Sequence, residues 1–93
     1  MATAYVYDPL YLEHNLAQHP ESKRRLEQTM AHLKASGLLK RMTPLKARDA
    51  DVDEIASVHR PSYIAQVRDM AERGGGHLDP DTYVAPRSYA VAL

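Results

Sequence analysis

Apolar side chains recur at helical spacing in several stretches of this chain and cluster in short β-prone runs in two others. Ala4 to Tyr7 is the first such run, and Asp8-Pro9 ends it because proline cannot donate to a sheet ladder. It predicts a first, buried strand. Residues 8–21 then predict a long loop, with prolines at 9 and 20. Ser22 to Ser36 predicts a helix, since Leu26, Met30 and Leu33 fall on one stripe and Lys and Arg lie opposite. Gly37 supplies the left-handed position beyond the last turn, and Leu38 is placed to fold back on it. Met42 to Ala47 is a weaker strand candidate. Joined to the first strand through a helix, it predicts a parallel pair in a β-α-β unit.

Asp51 to Val58 predicts a second helix, with Asp51 as its cap and Glu54 three residues on to close a capping box. Pro61 suits the first position of a third helix. Its face carries Ile64, Val67 and Ala71, widened by Tyr63 and Met70, and Gly74-Gly75-Gly76 stops it. Residues 77–85 read as a further polar loop. Pro86 opens a fresh helical pattern through Tyr89, Ala90 and Leu93. That pattern reaches Leu93 without a C-cap, a glycine or a basic last turn, so the expectation is a single incomplete domain over residues 1–93.

Composition narrows the class. Ninety-three residues with 44% hydrophobic content fit one small unit of limited stability. Without cysteine there is no disulfide framework, thiolate metal site or thiol nucleophile. Neither a basic flank followed by a long apolar run nor a spanning segment is visible, so the expected setting is cytoplasmic, with no membrane partner. Formal net charge is zero, which argues against a dedicated nucleic-acid binder. The charge is segregated, however. Between Ser22 and Arg48 eight basic residues face only Glu27, a net +7 offset by the acidic remainder. This predicts a solvated helix face that meets acidic loops of the same fold.

Three clusters could carry chemistry. His14 and His19 with Glu13 or Glu21 offer metal-ligand types, yet no tight ligand template fits them and helical i, i+4 spacing is missing. Loop packing and capping around His19-Pro20-Glu21 is the expected role. His77 and Asp79-Pro80-Asp81-Thr82 lack the further oxygens and closing glutamate of a calcium loop. A rim carboxylate that accepts hydrogen bonds from a ligand's amides, or a plain turn aspartate, is simpler for Asp81. Lys23-Arg24-Arg25 sits against the positive end of a helix dipole, which leaves room for one of them to point inward. His32 and His59 are expected to be structural. The sequence holds no nucleophile elbow, phosphate loop or metalloprotease helix motif.

Taken in order, Tyr5-Val6-Tyr7-Asp8, Leu12 with His14, His19-Pro20-Glu21 with Arg25-Leu26, Gly37-Leu38, Val58-His59, Tyr63-Ile64, Leu78-Asp79-Pro80-Asp81-Thr82 and the start of a helix from Ser88 to Ala92 resemble the N-terminal segment of the histone deacetylase and acetylpolyamine amidohydrolase family, particularly its bacterial and class II-like members. The resemblance covers essentially the whole chain. It implies an α/β fold, with about two parallel strands and three to four helices forming the N-terminal part of an arginase/deacetylase-type three-layer domain. It also implies that the loop after the first strand and the loop ending in Asp81-Thr82 rim the active-site tunnel. Asp81 would then grip the substrate backbone beside the acetyl-lysine, and Arg25 would lie below the tunnel. His14 falls where some members place a structural zinc ligand, but the accompanying cysteines are absent here.

The family's chemistry needs a tandem His-His pair, an Asp-x-His pair and a later aspartate on zinc, which activates a water. No aspartate here is followed by histidine two positions on, and no two histidines are adjacent. The expectation is therefore an N-terminal fragment with no catalytic residue, no metal ligand and no cofactor of its own. Zinc and an acetylated protein or polyamine substrate belong to the full-length parent. Self-association through the face that the missing sheet would cover is expected. A free-standing self-associating module without catalysis is the rival reading. A small metal-binding protein using His14, His19 and His77 is a third.

Overall fold

The burial of one short apolar sequence, Tyr83-Val84-Ala85, organises the fold. In the computed structural model, which describes residues 2–93, these three residues join Ile64, Ala71 and Ser88 as the buried set. They come from three elements that pack together: helix α3 (Pro61–Glu72), strand β4 (Thr82–Val84) with the residue after it, and helix α4 (Ser88–Ala92). The stripe expected on α3 is real, with Ile64 and Ala71 at its centre.

Strand β1 (Ala4–Val6) pairs in parallel with β2 (Thr43–Leu45), and helix α1 (Lys23–Ala35) connects them. The register places Tyr5 opposite Pro44. This pair is open to solvent. Val6 is 49% exposed and Leu45 52%, so the first strand is not the buried one that its composition predicts. A two-stranded sheet has no third strand or helix layer to cover both faces, and alternation alone cannot bury it.

Local rules explain the ends of the helices. Gly37 adopts φ +81 beyond α1, and its amide donates to Lys34 O at 3.2 Å. Helix α2 (Val52–Ala56) begins at Asp51, whose amide donates to the Glu54 carboxylate at 2.9 Å. Arg48 grips that same carboxylate with two bonds of 2.9 Å. Pro61 takes the first position of α3, as expected.

The segment 77–85 departs from its reading as a polar loop. It forms an antiparallel hairpin, β3 (Gly76–Asp79) and β4, joined at Pro80-Asp81 with an irregularity between His77 and Asp79. Each strand is too short to show a period, and the turn residues dominate the composition. Burial of Tyr83 and Val84 decides the outcome. Gly75 permits the approach: its φ is +103, and a Cβ there would meet Val84 O at 2.5 Å.

The chain has extents of 42 × 33 × 17 Å and a radius of gyration of 15.3 Å. A compact globule of this length would have a radius of about 12 Å. The molecule is a flattened slab.

Candidate functional site

The segment between β1 and α1 is more structured than a loop. Asp8 accepts the Leu10 amide at 2.9 Å and starts a 3-10 turn over Pro9–Glu13. Beyond it the chain reverses at Gln18, whose φ of 66 is left-handed. Asn15 then reaches α1 and accepts the Lys23 amide at 2.8 Å. Ser22 occupies the cap position but makes no side-chain cap bond. The loop itself therefore caps the helix, tying residues 8–21 to α1.

Two imidazoles of this segment converge on one ring of the hairpin. His14 stacks on Tyr83 with centroids 4.6 Å apart and planes 11° from parallel. His19 meets the same ring edge-on at 4.9 Å and 70°. The Tyr83 hydroxyl donates to the Glu21 carbonyl. His14 Nδ1 shares a 2.5 Å hydrogen bond with Ser88 Oγ, which also accepts the Ala85 amide at 2.7 Å. Burial raises the Tyr83 phenol above its ordinary pKa, so it stays a neutral donor throughout the physiological range. Tyr83 and Ser88 were not singled out in the sequence. Their signal is a short apolar run between an Asp-Pro turn and Pro86.

Asp81 lies at the exposed tip of the hairpin. Its amide donates to Asp79 Oδ1 at 2.9 Å, the local bond that lets Asp-Pro-Asp turn tightly. The Thr82 hydroxyl and then the Asp81 amide hold the Asp79 carboxyl below its ordinary pKa. Asp79 thus serves the turn, and the Asp81 carboxylate projects free of it. Arg25 lies on the outer face of α1 and pairs with Glu21 at 2.6 Å, with 65% of its side chain exposed. Lys23 and Arg24 are exposed too. None of the three points inward, because the carboxylate one turn back takes Arg25 and solvent takes the others. Glu21 links the two candidates, its carboxylate holding Arg25 and its carbonyl holding Tyr83, two residues from Asp81.

Beside His14 and Tyr83 runs an apolar groove of about 390 Å³, walled also by Tyr63, Ile64, Tyr89 and Leu93 among others. His59 is exposed and tilts against Tyr63 at 5.8 Å. Among the described residues no three His, Cys, Asp or Glu side chains converge to hold a metal. His14 and His19 both pack on Tyr83, and His77 is exposed in β3, opposite Tyr83 in the register.

The sequence model of the histone deacetylase domain matches residues 19–93. The chain belongs to the histone deacetylase family. It is 33% identical over 87 residues to a probable deacetylase of Methanothermobacter thermautotrophicus, covering 94% of this chain and 26% of that protein. It is 34% identical over 76 residues to a histone deacetylase-like amidohydrolase of Pseudomonas aeruginosa, covering 82% and 19%. The crystal structure of the HDA15 HD domain superposes with a TM-score of 0.86 at 29% identity, covering 95% of this chain and 27% of that one. The chain spans between 19% and 27% of the length of these three proteins. The α/β architecture, with its parallel pair and four helices, is that of a deacetylase domain segment. Among the described residues no helix is long and apolar enough to cross a membrane.

Proposed function

We propose that this chain supplies part of the substrate rim of an amide-hydrolysing deacetylase domain, and that it has no catalytic activity alone. The observation that carries the reading is the free Asp81 carboxylate at the tip of a hairpin fastened to the 8–21 segment. A carboxylate so placed can accept two hydrogen bonds from the backbone amides of a bound peptide, and charge on the acceptor strengthens each. Arg25 stands on the far side of Glu21 and contributes positive charge near that rim. The substrate class is an acetyl-lysine side chain in protein, or an acetylated polyamine or similar amide. Zinc-dependent hydrolysis belongs, in this reading, to a whole family domain in a cytoplasmic setting.

What supports the reading of inactivity is that the sequence holds no adjacent histidine pair and no Asp-x-His pair. Self-association is proposed through the exposed β1–β2 pair, where Val6 and Leu45 lie uncovered beside unpaired strand edges. The test is an assay of the 93-residue chain with zinc and a fluorogenic acetyl-lysine peptide. No turnover above the zinc blank is expected. Robust turnover would overturn the proposal.

A further inference from the structure

We infer that Tyr83 is a positioning residue for the substrate rim, locking the hairpin tip and with it Asp81 to the 8–21 segment; this rests on the reading of Asp81 as the substrate contact. Strand β4 has three residues and the turn before it two, and a hairpin this short has little stability of its own. Asp81 is itself exposed, and its one local tie runs to Asp79 inside the same turn. Nothing in that turn fixes where the tip sits relative to the rest of the molecule. Tyr83 does. It is 5% exposed and lies two residues from Asp81. Three groups from the other rim segment hold it: His14 on its face, His19 at its edge and the Glu21 carbonyl on its hydroxyl. The clamp is anchored from behind as well. Ser88 ties His14 to the Ala85 amide, so the chain leaving β4 is fixed to the same imidazole that stacks on the ring.

A side chain that only filled the core would need neither a hydroxyl bond across 62 residues nor one imidazole stacked on its face and a second at its edge. The arrangement joins the two rim segments at one point and leaves the Asp81 carboxylate free. Glu21 extends the coupling to Arg25, so displacement of Tyr83 would disturb both rim charges together.

The test is backbone 15N relaxation on the 93-residue chain and three variants. In the wild type, the Asp81 and Thr82 amides are expected to have order parameters near 0.85, the value of about 0.85 typical of rigid backbone. Tyr83→Phe keeps the ring and loses the hydroxyl bond, and should lower both values measurably. Tyr83→Leu should bring them below about 0.6, the flexible range, while α3 amides stay unchanged. If Tyr83→Leu does not fold, Tyr83→Phe decides alone. Unchanged tip order in Tyr83→Phe, or equal loss at the tip and in α3, would overturn the proposal, because a purely structural role loosens both or neither. Asp81→Asn should leave tip order intact. In a whole deacetylase domain that carries this segment, Asp81→Asn should weaken binding of an acetyl-lysine peptide; equal binding there would sink the substrate reading of Asp81, and the relaxation data would still decide the role of Tyr83.

Discussion

The two strand pairs of this molecule meet opposite fates. The hairpin β3–β4 buries Tyr83 and Val84 against α3 and α4, whereas β1–β2 leaves Val6 and Leu45 half-exposed. Strand length does not explain the contrast, since all four strands have three or four residues. Cover does. The hairpin packs against α3 and is held by the 8–21 segment through Tyr83, whereas Val6 and Leu45 of the parallel pair stay uncovered. Local β propensity is therefore a poor guide to which strands carry a small fold, and the elements packed against them decide.

Substitutions on the two sides should separate most sharply in the core. Ile64→Ala removes a side chain that is 7% exposed and should cost about 2–5 kcal/mol. Leu45→Ala in the open pair should cost about 1 kcal/mol or less. Urea midpoints of the two variants check this, and equal losses would erase the distinction. The glycines give a second, smaller contrast. Gly75→Ala combines a left-handed backbone with a Cβ driven into Val84 O, and should cost about 2 kcal/mol or more. Gly37→Ala faces open space at φ +81 and should cost about 1 kcal/mol. Thermal melts of both variants measure the difference.

The smallest effect concerns the pair that fastens α2 to the segment after β2. Hydrogen bonds from Arg48 and the Asp51 amide, with the Arg48 charge, lower the Glu54 pKa from 4.5 to about 2. The folded value lies below the unfolded one, so the contribution is complete above pH 4.5 and fades as pH falls toward 2. Glu54→Gln should flatten the pH dependence of α2 helicity within that window and leave the hairpin signals unchanged. NMR shifts of the Asp51 and Tyr83 amides across an acid titration read both ends at once.

Much of this was legible beforehand. The α3 stripe, its Pro61 start and glycine stop, and the Asp51–Glu54 box are local patterns, and local patterns survive in the structure. The parallel pair was legible as well, because a helix between two short β-prone runs favours it. The hairpin was not. Gly76 to Asp79 and Thr82 to Val84 offer too few positions to show alternation, and Asp79-Pro80-Asp81 reads as loop. The site divides the same way. Asp81 stood out through its motif and sits exposed on a turn. Its support comes from His14, His19 and Glu21, sixty residues or more away, and no spacing rule joins them to Tyr83. Arg25 was equally visible, but its pairing with Glu21 on the outer face depends on where the 8–21 segment ends.

Native-state hydrogen exchange on the 93-residue chain tests most directly whether the corner around Tyr83 is the part that holds together. Amides of α3 and the hairpin should be the best protected, and those of β1–β2 should exchange first. Uniform protection, or stronger protection at Tyr5 and Pro44's neighbours than at Tyr83 and Val84, would contradict this account.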